Sequence, residues 1–294
     1  MSTLELDPAM SDAERRRHLL AGRILLLAAR PSSLALCARV RSLIDDTFGQ
    51  RHAPADLDEI PPAALLTKIN GLKRSIAVDP DAAALLSAML ADLGCDPSRT
   101  FRHRLYLRVV PSSLAPGSGP RPYHAPPHRD VWLASPHCQI NWWMPVSEID
   151  ADSCLVLYPS FWSRRIANTS DRFDYLTYRR RLAERSQGAA VGMNLLEDFS
   201  APHAIEPVDS DAGLRLVCPV GSILLFSAAH LHASVPNRSG ATRFSLDFRT
   251  VALDDLISGL RAPPIDTFCS GSSLVDFRRL DDSTPVPETY LALV

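Results

Sequence analysis

The sequence predicts a mainly β domain, of the β-sandwich or jelly-roll class, preceded by a helical N-terminal third. After Thr100 the chain contains several strand-length runs separated by turns rich in Pro, Gly and Asn. Before Thr100 it contains helix-start signals followed by runs of Ala and Leu. The chain has 294 residues, 46% hydrophobic and 22% charged, which is ordinary for a globular protein. We expect one domain over residues 1–294, with residues 1–100 as helical support.

Three helices are predicted in this N-terminal third. Ser11 and Glu14 match a capping box at the start of a helix that runs toward Arg30. A second helix covers about residues 31–48, and the run DPDAAALLSAMLADLG at 79–94 predicts a third. The apolar stretch that spans the first two helices is interrupted by two arginines and a proline. It therefore predicts two packed amphipathic helices rather than a membrane span.

Strands are predicted in the region that follows. The runs are RHRLYLRVVP (102–111), CQINWWMPV (138–146), DSCLVLYPS (152–160), GLRLVCPVGSILLFSAAHLHASV (213–235) and TRFSLDFRTVAL (242–253). We expect them to form a β core over residues 101–255, with an insertion at 161–211 and a C-terminal segment, 256–294, wrapped over the same domain.

The insertion is rich in arginine and contains a helical piece around FDYLTYRRRLAER. It is either a lid that attracts an anionic substrate or a solvated helix face balanced by neighbouring acids, and the balance of charges favours the solvated face. Its arginines are Arg164, Arg165, Arg172, Arg179, Arg180 and Arg181.

The net charge limits the classes of partner that we expect, and the cysteines indicate the cellular compartment. A net charge of −2 gives no electrostatic footprint for nucleic acid. The six cysteines are scattered without a CxxC pair, which is typical of free thiols in a reducing compartment. Because the N-terminus also lacks a secretion signal, we expect a cytoplasmic protein. Nothing in the sequence indicates its oligomeric state.

The stretch PHRDVW at 127–132 allows three interpretations. A kinase catalytic loop requires H-R-D-L-x-x-x-N and a later D-F-G, but Ser135 occupies the Asn position and no D-F-G occurs. A metal site requires a third ligand; in an extended segment His128 and Asp130 would point to the same side. The third interpretation is a polar loop without chemistry, because His-x-Asp alone is common by chance.

A later segment favours the metal site. It offers His230 or His232 as the third ligand, and Arg243 follows His232 by eleven residues. Arg243 opens a predicted strand on which Ser245, Asp247 and Arg249 share its face. Two histidines and one carboxylate leave coordination positions open for a cosubstrate and O₂, and an arginine nearby can grip a carboxylate bidentately.

These motifs resemble those of the Fe(II)/2-oxoglutarate-dependent dioxygenases, nearest to the phytanoyl-CoA dioxygenase-like group. The resemblance rests on HRDVW, CQINWWMPV, YPSFW and GSILLFSAAHLHASVPNRSGATRFSLDFR, and it covers about residues 100–255. It implies a double-stranded β-helix, a cupin-like variant of the jelly roll, with His128, Asp130 and His232 as iron ligands. It also implies that Arg243 binds the far carboxylate of 2-oxoglutarate, and the HASVPN motif selects His232 over His230.

Further candidates follow from the same predicted strands. Gln139 and Asn141 are candidates to hydrogen-bond 2-oxoglutarate, the alternative being buried amides satisfied by the backbone. Ser245 is expected to support Arg243. The substrate-pocket candidates, for each of which a core or surface role is the alternative, are Trp132, Trp143, Tyr106, Arg108, His230 and Arg249.

The function that the resemblance implies is oxidation that uses Fe(II), 2-oxoglutarate and O₂ and releases succinate and CO₂. We expect hydroxylation of an unactivated C–H bond in a small polar metabolite or natural-product intermediate, without a nucleic-acid or membrane partner. Asp130 argues against a halogenase, in which a small residue replaces the carboxylate. Desaturation, epoxidation or cyclisation would use the same residues. The alternative function is a non-catalytic or 2-oxoglutarate-independent cupin-like metal-binding protein.

Overall fold

The computed structural model describes residues 4–49, 57, 60–112, 125–187, 201–209 and 212–293. The helices are α1 (Asp12–Leu20), α2 (Pro31–Phe48), α3 (Pro62–Val78), α4 (Pro80–Asp92), α5 (Tyr175–Gln187), α6 (Leu253–Ser258) and α7 (Glu288–Leu291). The strands are β1 (Leu4–Leu6), β2 (Ile24–Leu27), β3 (Thr100–Arg102), β4 (Tyr106–Val110), β5 (Ile140–Pro145), β6 (Leu155–Leu157), β7 (Leu214–Leu216), β8 (Ile223–Ser227), β9 (His232–Ser234), β10 (Arg243–Ala252) and β11 (Arg278–Arg279).

The strands form two sheets. The larger has eight strands in the order β1-β2-β8-β5-β10-β3-β11, with β4 paired to β10 beside β3. The smaller has the order β7-β6-β9, and a bridge between His128 and His232 continues its pairing beyond β9. The chain is therefore a mixed α and β structure. Helices dominate the first hundred residues, as the sequence predicts, but β1 and β2 in this region also belong to the large sheet.

Strand β10 carries the alternation that organises the large sheet. Phe244, Leu246 and Phe248 lie in the main apolar core, together with Ile140, Trp142 and Met144 of β5 and residues from α2, α3 and α4. The intervening residues of β10 are polar and point to the opposite face. The polar face of β10 was expected from the sequence, and the registry of β10 with β5 places Arg249 opposite Asn141 and Asp247 opposite Trp143.

A second apolar cluster fills part of the space between the two sheets. Its buried residues are Ile24, Trp143, Leu155, Leu157, Leu216, Cys218, Leu224 and Phe226. These residues come from β2, β5 and β8 of the large sheet and from β6 and β7 of the small one, with Cys218 just after β7. The two sheets are thus held together by side chains from their facing sides.

The N-terminal helices confirm most of the prediction for this region. Ser11 and Glu14 form a capping box at α1, with the Glu14 amide donating to Ser11 Oγ at 3.3 Å. The helices predicted over 31–48 and 79–94 are α2 and α4, and Asp79 caps α4. The expectation that the first helix continues toward Arg30 was wrong.

Residues 24–27 form strand β2 instead of a helix. Gly22 ends α1 with φ +94°, and β2 then pairs with β8 on one side and with β1 on the other. Ile24, Leu25 and Leu27 are all buried. A short run that is apolar on both faces fits a central strand or a buried helix equally well, so its partners decide the outcome.

The C-terminal segment and the insertion both contact the body of the domain. Strand β11 pairs with β3, and the Ala262 amide donates to the carbonyl of His137 at 2.9 Å. In the insertion, Tyr175 Oη and Arg179 Nε of α5 each lie 2.7 Å from a carboxylate oxygen of Asp276. Part of the predicted insertion, residues 188–200 and 210–211, lies outside the described residues. The choice between a lid and a solvated helix face depends partly on these residues. Within the described ranges, none of the helices has the length and apolar composition that a membrane crossing requires.

A substitution at Gly22 tests the junction between α1 and β2. A Cβ at this position would meet the Trp162 ring at 2.5 Å, in addition to the cost of φ +94°. Gly94 is the matched control, because it follows α4 with φ +83° and a Cβ there meets nothing within 4 Å. We expect Gly94→Ala to cost roughly 1 kcal/mol for the positive φ alone. Gly22→Ala should cost roughly 1–3 kcal/mol more because of overpacking.

Urea unfolding followed by circular dichroism measures both variants. Equal loss of stability in Gly22→Ala and Gly94→Ala would contradict the close contact with Trp162.

Candidate metal centre

Three potential ligands converge from distant parts of the chain. His128 and Asp130 lie at the entrance to a 3-10 turn, Asp130–Leu133, and His232 is the first residue of β9. The amide of each histidine donates to the carbonyl of the other at 3.0 Å. This is the hydrogen-bonded pair of an antiparallel ladder, and it places the two imidazole ring centres 4.3 Å apart.

The backbone also orients the imidazole rings. His128 Nδ1 lies 2.8 Å from the carbonyl of Pro126, and His232 Nδ1 lies 3.0 Å from the carbonyl of His230. Since a carbonyl only accepts, each Nδ1 carries the proton and each Nε2 keeps a lone pair. Burial lowers the pKa of His232 to about 3, so this imidazole is neutral, the form that a metal binds.

The two Nε2 atoms face one oxygen of Asp130. Oδ1 of Asp130 lies 3.5 Å from His128 Nε2 and 3.8 Å from His232 Nε2. The three residues form a group whose ligand atoms all lie within 4.8 Å of one another. Ligands about 2.1 Å from a shared ion, at right angles, are roughly 3 Å apart, so a small inward shift would complete a facial set. The donor set fits a divalent transition metal.

The other oxygen of Asp130 is held by neighbouring side chains. Oδ2 accepts from Asn141 Nδ2 at 2.9 Å and lies 3.4 Å from Gln139 Nε2 and 3.5 Å from Arg249 Nε. Gln139 Nε2 also donates to Asn141 Oδ1 at 2.8 Å. Both amides, assigned from the sequence to the cosubstrate, therefore hydrogen-bond to the carboxylate in this structure and leave Oδ1 for the metal.

Asp130 is ionised despite its burial. Burial by itself raises the pKa of its carboxyl, but the nearby charge of Arg249, together with the polar imidazole groups beside it, outweighs that effect. Together they hold the pKa of Asp130 well below its usual range, so the carboxylate form that binds metal is the one present.

Arg243 is a buried cation on the polar face of β10, the face that also carries Ser245 and Arg249. Its Nη1 donates to the carbonyls of Ser153 at 2.9 Å and Cys154 at 3.2 Å, and only 2% of the residue is exposed. Burial lowers the pKa of Arg243 to about 10, so it remains charged at neutral pH. Among the described residues no carboxylate forms an ion pair with it, and Arg243 Nε and Ser245 Oγ both lack a hydrogen-bond partner there. Such atoms are uncommon in folded proteins, and a bound polar group is one of the ways in which they can be satisfied.

The residues between and after the ligands point to the other side of the turn. Arg129 is fully buried and its Nε lies 3.2 Å from Asp266 Oδ2, while its Nη2 donates to the carbonyls of Phe161 at 2.7 Å and Arg164 at 2.9 Å. Trp132 Nε1 donates to Asp266 Oδ1 at 2.9 Å. Arg129 therefore lies on the opposite side of the turn from the ligand atoms, and Trp132, a predicted pocket residue, shares its partner Asp266.

Sequence reasoning missed Asp266. It lies 136 positions after Asp130 in the C-terminal segment, and only 2% of it is exposed. No local pattern marks it, because its partners Arg129 and Trp132 are brought to it only by the fold.

The remaining predicted pocket residues lie in three different places. Tyr106, Arg108 and Arg249 lie together around Asp247 on the polar face of the sheet. His230 is not part of the ligand group: it is fully buried, its Nε2 lies 3.2 Å from the carbonyl of Gly22, and its ring packs on Trp162. Burial lowers the pKa of His230 to about 4. Trp143 lies in the apolar cluster between the sheets.

Comparisons with known proteins give distant similarities. No protein-family model matches the chain, and no curated protein does. Among solved structures, EvdO2 from Micromonospora carbonacea var. aurantiaca is 13% identical, with a TM-score of 0.47 and 84% of this chain and 93% of that chain covered. EvdO2 complexed with 2-oxoglutarate is 14% identical, with a TM-score of 0.46 and the same coverage.

A third similar structure is SnoN, a non-heme alpha ketoglutarate dependent epimerase from nogalamycin biosynthesis. It is 15% identical, with a TM-score of 0.37 and 92% of this chain and all of that chain covered. Because the similarities are this distant, the side chains of the site have to carry the functional assignment.

Loss of the Asp266 carboxylate should destabilise the turn that holds the ligands. Asp266→Asn leaves Arg129 as a buried cation without a counter-charge, and breaking a buried pair costs roughly 3–5 kcal/mol. Asp254→Asn is the control, because Asp254 pairs with Arg99 on the surface and its side chain is 55% exposed. Unfolding free energies measured in urea should fall strongly for Asp266→Asn and stay nearly unchanged for Asp254→Asn; equal values would contradict the anchor.

Removal of the Asn141 amide should weaken metal binding without removing a ligand. Asn141→Ala removes the shortest hydrogen bond to Asp130 Oδ2, and loss of such a supporting hydrogen bond weakens metal binding by roughly 10–100-fold. Asn237→Ala is the matched control, because this amide donates its hydrogen bonds to the carbonyls of Val110 and Ala241 rather than to a metal ligand. Calorimetric titration with Ni²⁺ compares the two, and unchanged affinity in Asn141→Ala would overturn the supporting role.

Proposed function

We propose that this protein is an Fe(II)- and 2-oxoglutarate-dependent oxygenase that hydroxylates an unactivated C–H bond of a small polar metabolite or natural-product intermediate. The observation that supports the proposal is the combination of a metal-ligand set with a buried arginine. Two imidazoles and one carboxylate converge on a common point, and a buried arginine without a carboxylate partner among the described residues lies on the next strand along the chain.

The ligand set favours iron in an oxygenase role. Two histidines and one carboxylate are the facial ligands of non-heme Fe(II) oxygenases, and they leave three positions open. Bound Fe(II), with 2-oxoglutarate and O₂, supplies the oxidation, which releases succinate and CO₂. The carboxylate of Asp130 keeps the third protein position filled, which argues against halide binding there.

Arg243 is the residue that binds the cosubstrate in this proposal. A buried guanidinium needs an anion, and the far carboxylate of 2-oxoglutarate accepts from it in the planar, charge-assisted geometry that arginine favours. The unpartnered Nε of Arg243 and Oγ of Ser245 are the donors that remain for that carboxylate. Carbonyls of Ser153 and Cys154 hold the opposite edge of the guanidinium, so its direction is set before the cosubstrate binds.

Asn141 and Gln139 act on the metal ligand. They keep Asp130 Oδ2 occupied, so Oδ1 alone faces the metal and the carboxylate binds through one oxygen. A direct contact of either amide with 2-oxoglutarate, as expected from the sequence, would require this hydrogen bond to be exchanged.

The apolar cluster between the sheets excludes water from one side of the site. The Phe226 ring lies 5.0 Å from that of His232, and Trp143 and Leu224 pack beside it. A dry wall next to the metal strengthens the interactions of Arg243 and Asp130 with bound anions and cations.

The fold and the setting form part of the same proposal. The two facing sheets, continued by the His128–His232 bridge, are the two halves of a double-stranded β-helix within one domain. All six cysteines are free thiols, five of them buried, which suits the reducing cytoplasm.

Anaerobic spectroscopy tests the assignment. Wild-type protein with Fe(II) and 2-oxoglutarate should give a weak visible charge-transfer band, because both bind at one centre. Asp130→Ala should lose the band through loss of a ligand. Arg243→Gln should keep metal binding but require roughly 100-fold more 2-oxoglutarate, the order expected when a buried charged hydrogen-bond partner is removed.

Asp254→Asn serves as the control and should show the wild-type band. A folded wild-type protein that binds Fe(II) without the band would contradict the proposal and support the 2-oxoglutarate-independent cupin-like alternative. Absence of Fe(II) binding would leave only the non-catalytic alternative. Screening metabolites for stimulated succinate formation then identifies the substrate.

A further inference from the structure

Three guanidinium groups surround the ring of Tyr106. The Cζ atoms of Arg104, Arg249 and Arg108 lie 4.7, 5.0 and 5.2 Å from the ring centre. Tyr106 lies opposite Asp247 in the pairing of β4 with β10, on the face that also carries Arg243 and Ser245. We call these three arginines and Tyr106 the arginine cluster.

Only part of this positive charge is neutralised. Asp247 accepts from Arg108 Nε at 2.7 Å and Nη2 at 3.0 Å, and its Oδ2 lies 2.8 Å from Arg249 Nη1. One carboxylate is thus shared by two guanidiniums. Arg104 forms no ion pair with a carboxylate in the described part of the chain.

Neighbouring groups respond to the same excess of positive charge. Burial, together with the charges of Arg249 and Arg104, lowers the pKa of His103 to about 3, and the His103 ring stacks 5.4 Å from that of Tyr106. Burial and the charge of Arg108 lower the pKa of Lys73 to about 8. The arginines themselves have raised pKa values, because Tyr106 and Asp247 outweigh the effect of burial, so all three are charged and able to bind an added anion.

The arginine cluster is both accessible and next to the metal centre. Arg104 is exposed, and the side chain of Arg108 is 45% exposed. At its inner end, Arg249 Nε lies 3.5 Å from Asp130 Oδ2. A ligand held by Arg104 and Arg108 is therefore separated from the metal ligands by one side chain, Arg249.

We infer that the substrate carries an oxyanion, a carboxylate or a phosphate, which Arg104 and Arg108 bind beside Tyr106 while its reacting carbon lies over the metal. This inference rests on the proposed function and adds the chemical class of the substrate. Arginine suits planar oxyanions because its donors form a fork, and Tyr106 gives the guanidiniums a flat surface to stack on. Asp247 accounts for Arg108 and Arg249 as structural partners, but it does not account for Arg104.

Probe anions test the inference without knowledge of the substrate. Protein saturated with Ni²⁺ and 2-oxoglutarate, so that Arg243 is occupied, is titrated calorimetrically with benzoate, inorganic phosphate and the neutral analogue benzamide. Wild-type protein should bind benzoate or phosphate at least tenfold more tightly than benzamide, with an affinity that falls as salt is added. The tighter of the two anions shows whether the group is a carboxylate or a phosphate.

Arg104→Gln should weaken binding of the preferred anion about tenfold, the factor that corresponds to one charged hydrogen bond. Arg104→Lys should restore part of the affinity. Arg164→Gln is the matched control, because Arg164 is exposed, its Cζ lies 4.7 Å from the Phe161 ring, and its contact with Arg129 is made by its backbone carbonyl, which the substitution keeps. Equal affinity for benzoate and benzamide, or wild-type anion binding in Arg104→Gln, would overturn the inference.

Failure of this inference is distinguishable from failure of the proposed function. The anaerobic charge-transfer band reports Fe(II) and 2-oxoglutarate, and Arg104→Gln should leave it unchanged. The anion titration is repeated in Arg243→Gln, where binding at the cosubstrate position is removed. Anion binding that persists in Arg243→Gln and weakens when Arg104→Gln is added supports the arginine cluster, whatever the band shows. Anion binding that disappears with Arg243→Gln alone assigns it to Arg243 and contradicts the inference.

Discussion

The backbone of His128 is hydrogen-bonded to that of His232 in both directions, and the metal centre depends on this pair. The two residues are 104 positions apart in the chain, yet the bridge brings their rings within 4.3 Å and leaves both Nε2 atoms on one side. Asp130 completes the set because the chain turns at once into a 3-10 helix. The backbone hydrogen bonds of the ladder thus position the ligands, which do not depend on long, flexible side chains. Because the ligands are already ordered, little conformational entropy is lost when a metal binds.

A second constraint acts on the opposite side of the same turn. Arg129 and Trp132 are bound by Asp266 of the C-terminal segment, and Asp266 Oδ2 also accepts from the amide of Ile166 at 3.1 Å. The buried charge of Arg129 is tolerable because one carboxylate and three backbone carbonyls surround it. The motif that supplies two metal ligands therefore also joins the C-terminal segment and the insertion to the core.

The polar face of the large sheet carries more arginines than carboxylates near the site, and this excess makes the site positively charged. Along β10 the apolar residues pack toward the helices, and Arg243, Asp247 and Arg249 face the site. Asp130 and Asp247 are the carboxylates that contact these arginines in the described part of the chain, and Arg104, just before β4, and Arg108, within it, add further positive charge. This face is thus suited to bind anions, both beside the metal ligands and farther out at the arginine cluster.

Residue types and spacings were enough for the helix–sheet order, the strands that carry the site, the alternation of faces on β5 and β10, and the pair of His128 and Asp130. The family resemblance selected His232 over His230, and these three side chains lie together in the structure. These features are visible because they depend on local periodicity or on side chains whose chemistry is specific. The folded chain alone revealed that residues 24–27 are a strand, that Asn141 and Gln139 hold Asp130, and that Trp132 belongs with Asp266. It also placed Arg104 beside Tyr106 without a carboxylate partner among the described residues. Each of these features depends on contacts between residues that are far apart in the sequence. Several partners are possible for each residue, and only tertiary packing decides which of them it meets.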